Sequence, residues 1–429
     1  MPGVAVVESG NYDLQIETGF IVNSFTLDNV TSGVLDNTFF VLDGNTEYAD
    51  VLADCTKVMV RRGRRDIGDQ FSAGTMTFTI RDVDGIFNPF DDNSPYYDTP
   101  QSKPGLAPMR KVQLIRYDQT DTPEYIFSGF VVNFDYNFAL GGLDTVTVYC
   151  ADQFYLLAQT FMDELNVIAE TSGERIETVL DLPEVDFPAT QRNIATGTVN
   201  LGHAGQYTVP AGTNALQYIT QINDTAEFGR VFMSRDGVLT FQERIGTTLT
   251  PSVASFSDDG TGTVFDGLGI SFEADAVINR AVVKGLSGTS STATNAGSIA
   301  QYFIQTKSIL NSLLHEALEI QDAALYLLKP LPEPRFTSVE TKFLMLTSAE
   351  RDTLATVEIG DTIAIEKTFP SGAGTTQLAQ DLSVEGIEHN LDFATGHRVT
   401  YFTSATIVLY ELILDDLLYG TLDTVNALG

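Results

Sequence analysis

The chain has 429 residues, of which 43% are hydrophobic, enough for roughly two to four domains with real cores. Its 57 Asp and Glu against 24 Lys and Arg give a net charge of −33, which excludes a broad basic surface for nucleic acid and makes the molecule repel polyanions. Two cysteines exclude a disulfide framework, and no apolar run approaches the roughly 18 residues that cross a bilayer.

Abundant Gly, Phe and Tyr without any Trp suit a mainly β protein with many turns. Residues 1–57 read as an N-terminal arm. The first basic residue is Lys57, so a secretory signal with a charged start is not expected, and the chain is expected to be made in a cytoplasm. Within the arm, Leu27–Asp36 follows the pattern L-D-[ND]-x-x-x-G-x-L-D, and Leu414–Asp423 follows it again. One reading makes these two segments hooks that grip neighbours through Leu27, Asp28, Leu35, Leu414, Asp415 and Leu422. The other is coincidence between two turn-rich acidic segments.

Residues 58–158 form the first expected β-domain. A basic cluster, Arg61, Arg62, Arg64 and Arg65, opens it. Met76, Phe78 and Ile80 then alternate with Thr75, Thr77, Thr79 and Arg81, the period of a half-buried strand. A loop crowded with Asp, Asn, Pro and Gly runs to a strand at Met109–Leu114, and loops of this length inside compact domains are usually functional. Phe130, Val132, Phe134, Tyr136 and Phe138 are expected on a buried face. Leu140–Leu143 reads as a hairpin turn, and Val146, Val148 and Cys150 as the return strand.

Residues 159–245 read as a small α/β insertion, with helices near Glu174–Leu180 and Asn214–Thr225 and an Asp236-Gly237 hairpin. Residues 246–405 form the second expected β-domain. It holds a flexible Gly/Ser/Thr-rich loop at Leu286–Gly297, an amphipathic helix over 308–328 ended by Pro330, Pro332 and Pro334, and strands near 335–346, 357–367, 382–390 and 397–404. Residues 406–429 form the C-terminal hook. The stretch FSGFVVNFDYNF…VTVYCAD in the first β-domain is similar to SVEGIEHNLDF…VTYFTSA in the second, which suggests two copies of one plan.

Catalytic motifs are weak. His315-Glu316 starts like a zinc-protease motif, but Glu319 stands where the second His is needed. His389 and His397 flank a hairpin and fit a structural pair better than a metal site. Asp82, Asp84 and Asp92 lack the full ligand spacing of a calcium loop. The expectation is no enzyme activity, no catalytic residue, no metal and no cofactor. The four arginines have two readings: phosphate contacts to passing DNA, or pairing with acidic faces of neighbouring subunits. The second is favoured.

The Gly63-Arg64-Arg65 strand end, TFTIRDVDGIFNP, NSPYYD and PMRKVQLIRY together resemble the minor tail proteins of long-tailed phages, specifically the tail-tip (baseplate) hub family of siphophages. The resemblance implies two tail-tube-like β-barrel or sandwich domains in a virion protein at the tail tip. It implies a homo-oligomer, a trimer whose six barrel-like units match a sixfold tube. Its partners would be the distal tail protein, the tape-measure protein and other tail-tip proteins. DNA would pass only in transit, with no stable membrane insertion. The alternatives are a receptor-binding or cell-wall-degrading tip protein, or a hexameric distal tail protein.

Overall fold

The computed structural model describes residues 12–22, 27, 30, 34, 45–65, 69–99, 102–202, 207–244, 251–332, 334–371 and 374–405, with the two-residue strands 410–411 and 426–427. The molecule is mainly β. No helix among the described residues is long and apolar enough to cross a membrane.

Alternation builds the first half. Strand β1 (Tyr12–Val22) buries Tyr12, Leu14 and Ile16 and runs between β2 (Asn45–Asp50) and the later strand at Lys111–Tyr117. The segment expected as an arm therefore supplies core strands. Strand β3 (Cys55–Gly63) carries Arg61 and Arg62, with Arg64 and Arg65 just beyond its end, and β4 (Thr75–Asp82) buries Met76, Phe78 and Ile80 as the pattern predicts. The strands β5 (Lys111–Tyr117), β6 (Pro123–Asn137) and β7 (Asp144–Ala151) complete the half-sheet in the order β3-β4-β7-β6-β5-β1-β2.

The face expected to be buried on β6 is split: Phe134 and Tyr136 lie half-buried against the core, opposite Val148 and Val146, while Phe130 falls on the other face. A bulge between Val131 and Asn133 shifts the register against β7. Phe127, Gly129 and Val131 face the core before it, and beyond it the strand projects. Phe134, Tyr136 and Phe138 stack as a ladder with ring centres 6.2 and 6.1 Å apart, and Phe138 is 52% exposed.

The insertion holds α1 (Phe154–Leu157), α2 (Ser172–Leu180), β8 (Arg192–Ile194), α3 (Ala215–Ile222), β9 (Arg230–Met233) and β10 (Leu239–Gln242). Helix α2 starts at a capping box, with Thr171 and Glu174 satisfying each other's backbone N–H groups. Helix α3 ends in a π turn, Asn223–Glu227, and Phe228 closes it in the left-handed region at φ +58°.

The second half comprises β11 (Ala254–Ser257), β12 (Gly267–Ser271), β13 (Arg280–Lys284), β14 (Ser290–Thr294), α4 (Ala296–Tyr302), β15 (Thr306–Ile309), α5 (Ala317–Tyr326), β16 (Arg335–Lys342), α6 (Ser348–Thr356), β17 (Thr362–Ser371), β18 (Gly374–Asp392) and β19 (Gly396–Ala405). Two expectations are corrected here. The loop at 286–297 is ordered as β14, followed by the α4 cap, where Asn295 Oδ1 accepts from Ser298 N. The helix over 308–328 is only α5. Thr306–Ile309 pairs in parallel with β13 instead, and Leu313 and Leu314 are buried in irregular chain whose backbone bonds run to Lys284 and Leu286. Sheet pairing overrides the apolar periodicity there.

The two halves share one strand order. The first reads β3-β4-β7-β6-β5, and the second reads β12-β16-β19-β18-β17: in each, first, second, fifth, fourth, third. Each fourth strand carries a bulge against the fifth, at Val131/Asn133 and at Val384/Gly386. The outermost partners differ, since β1 joins β5 antiparallel and β11 joins β17 in parallel. The halves are fused into one 13-stranded sheet by pairing of β3 with residues 386–392 of β18.

Candidate functional site at the arginine strand

The fusion of the half-sheets brings the sequence's basic cluster onto carboxylates of the same chain. Gly63 sits opposite Gly386 in register, at φ +77°, and a Cβ on it would lie 2.3 Å from the Glu385 carbonyl oxygen. Two glycines here let the strands approach closely where the cluster begins. Arg64 N continues the contact by donating to Glu385 O at 2.9 Å.

Glu385 is the hub of the polar network. Its carboxylate, 1% exposed, accepts from Arg64 Nε at 2.9 Å, Arg230 Nη2 at 2.8 Å and Ser404 Oγ at 2.7 Å. Burial works to raise its pKa, but the charges of Arg230 and Arg64 outweigh burial and hold it below the usual carboxylate range. Arg62 is buried too, 2.6 Å from Glu358. Arg65 is half exposed, 3.1 Å from Glu388, and exposed Arg61 lies opposite Glu388 in register. The subunit-pairing expectation is thus corrected for Arg62 and Arg64, whose guanidinium groups are engaged inside the chain. Arg61 and Arg65 remain at the surface.

Sequence reasoning missed Glu385, Glu358, Glu388 and Arg230 as the partners. One signal was available: Glu385 stands between Val384 and Ile387, beside a glycine.

A cavity of about 690 Å³ opens beside this junction, between the sheet, the π turn after α3 and the segments around β15 and α5. Five of the chain's 24 Lys and Arg line it: Arg64, Arg230, Lys307, Lys329 and Arg335. Burial, reinforced by the neighbouring Arg335, lowers the Lys329 pKa to about 8.

The histidine pair meets as expected. Tyr12 Oη lies 2.7 Å from His397 Nδ1, and His397 Nε2 lies 3.0 Å from His389 Nδ1. With the phenol donating to His397, its Nε2–H donates in turn to His389, and both rings are neutral. Burial lowers both pKa values, that of His397 to about 3. Among the described residues no group of three or more His, Cys, Asp or Glu converges as a metal site. Of the hooks, Leu27 is described and is 77% exposed; Asp28, Leu35, Leu414, Asp415 and Leu422 lie outside the described residues.

Among the described residues several strand edges are unpaired, that of β2 among them, and two more are apolar. Strand β12 pairs only with β16, and the projecting end of β6 beyond Val131 pairs only with β7. Both carry exposed apolar side chains: Ile270 (45%) and Phe272 (66%) at β12, and Phe138 (52%) at the end of β6.

No protein-family model matches the sequence, and no curated protein is similar to it. The structure is similar to the tail protein from Neisseria meningitidis MC58, with TM-score 0.54, 10% identity, 93% of this chain and 98% of that one covered. It is also similar to the 43 kDa tail protein of prophage MuSo2 from Shewanella oneidensis, with TM-score 0.51, 12% identity, and 85% and 95% covered. The chain has the fold of these tail proteins.

Proposed function

We propose that the chain is a structural component of a phage-type tail, a tail-tip hub subunit that closes into a ring around a lumen. The observation that carries this reading is the repeated half-sheet with one junction filled and its equivalent open. Within the chain, the first strand of one half (β3) docks on the projecting part of the fourth strand of the other (β18). The equivalent elements, β12 and the end of β6, are the two apolar unpaired edges described above. Joining β12 of one subunit to β6 of the next repeats the internal junction between chains. Such a contact is head-to-tail, which yields a ring when its rotation closes, and three chains then supply six half-sheets. That number suits a sixfold tube on one side and a threefold tip on the other.

The acidic composition fits a passage for DNA. With a net charge of −33, a lumen wall repels phosphate and does not retain it. The tape-measure protein would occupy the lumen before DNA, and the distal tail protein and other tip proteins would bind its two faces. Function on this reading lies in interfaces, without turnover.

Electron microscopy of the purified protein, sorted by symmetry, tests the proposal. Threefold rings with a central hole support it. Sixfold rings move the assignment to a distal tail protein. Ile270→Lys places a charge on the β12 edge and is expected to shift rings to monomers; rings that survive it refute the edge pairing.

A further inference from the structure

We propose that the cavity beside the arginine strand binds an acidic peptide segment from another protein, taking its carboxylates on Lys307, Lys329 and Arg335 and its backbone N–H groups on Asn223 and Asp224. This inference does not rest on the ring reading, because the cavity lies within one chain.

The cationic side is built, and it outnumbers the carboxylates Asp69, Asp224, Glu273 and Glu385 that line the cavity with it, of which Asp224 feels the charges of Arg64 and Lys307. Arg64 and Arg230 share Glu385, which is saturated by them and Ser404. Among the described residues, Lys307, Lys329 and Arg335 line the same cavity without an ion pair. These cations repel one another: Arg335, Arg64 and Lys307 all weaken the charged form of Lys329, which Glu385 offsets only in part. A carboxylate bound among them relieves that repulsion.

A second wall, the π turn after α3, asks for donors. Asn223 is 2% exposed, and its Oδ1 has no hydrogen-bond partner among the described residues. Asp224 accepts from Asn223 Nδ2 at 2.8 Å through Oδ1, while its Oδ2, beside the Gln70 side chain, is buried with no close partner among the described residues. Unpaired buried acceptors cost stability unless something supplies N–H or O–H groups. A simple anion such as phosphate fits the cations but leaves these acceptors poorly served. A peptide answers both walls, since its backbone donates while its side chains carry the negative charge. A volume of about 690 Å³ fits a few residues of such a segment.

The test uses the full chain and a fluorescein-labelled Gly-Glu-Asp-Glu-Gly peptide, read by fluorescence anisotropy. The counterpart with Gln and Asn in place of the acids is expected to bind at least about tenfold more weakly. Lys329→Met and Lys307→Met are each expected to weaken the acidic peptide by about tenfold while keeping the wild-type thermal transition. Lys342→Met, whose ammonium pairs with Asp266 and lies outside the cavity lining, is expected to leave binding unchanged. Equal binding of the two peptides, or indifference to both cavity variants, overturns the proposal. Binding of inorganic phosphate without binding of the acidic peptide overturns it as well, since the occupant is then a small oxyanion.

Discussion

Replacing Glu385 by Gln removes one negative charge and leaves two guanidinium groups without it. Arg64 and Arg230 have side chains 11% and 8% exposed, so neither recovers full hydration where it stands. Breaking a buried ion pair from one side costs about 3–5 kcal/mol, much of it the stranded charge. Gln keeps the shape and one acceptor oxygen for Ser404, so packing loss is small. The expected destabilisation is therefore about 3–5 kcal/mol. The control is Glu388→Gln, which breaks the Arg65 pair, whose side chains are 51% and 24% exposed. An exposed pair of this kind is worth about 0–1 kcal/mol. Urea unfolding followed by far-UV circular dichroism measures both, and tyrosine fluorescence gives a second probe because the chain has no Trp. If Glu385→Gln costs no more than Glu388→Gln, the fusion of the half-sheets is held by backbone pairing and apolar packing, and the network reasoning is wrong.

Other outcomes follow from the same geometry. Gly63→Ala is expected to cost more than about 2 kcal/mol, since its Cβ meets the Glu385 carbonyl; Gly85→Ala, at φ +74° in open space, is expected to cost about 1 kcal/mol, and equal losses in urea unfolding refute the close-approach argument. Both buried histidines have folded pKa values depressed below about 6.5, so the unfolded chain binds protons first as pH falls, and stability drops from about pH 6.5 toward the folded values. A His389→Leu/His397→Phe double variant flattens that slope; an unchanged slope between pH 4 and 6.5 counts against neutral rings. Burial raises the thiol pKa of Cys55 and Cys150, so a thiol reagent is expected to label neither in the native protein and both in urea.

Much of the fold was legible because it rests on local alternation. Met76, Phe78 and Ile80 announced β4, and Val146, Val148 and Cys150 announced β7. The repeat was legible too, as two Gly-containing strands each followed by Val-Thr-aromatic. Features set by distant partners were not. A bulge at Val131–Asn133 put Phe134 and Tyr136 on the core side and left Phe130 on the other, and bulges leave no periodic trace. Pairing with β13 took Thr306–Ile309 out of an apparent helix. For the arginines, composition pointed to an acidic partner, and the sequence could not tell a neighbour's carboxylate from Glu385 of the same chain.

The pairing of β3 with β18 also sets a timetable for synthesis. Arg65 and Glu388 are 323 residues apart, so the partner edge for β3 emerges only long after β3 itself. At roughly 5–20 residues per second, β3 waits roughly 16–65 s after it is made. During that interval the nascent first half presents an open strand edge, its two exposed arginines blunting it against other chains. A truncated chain ending before Gly386 never fills that edge, and its expected fate is to pair with another copy instead of staying monomeric.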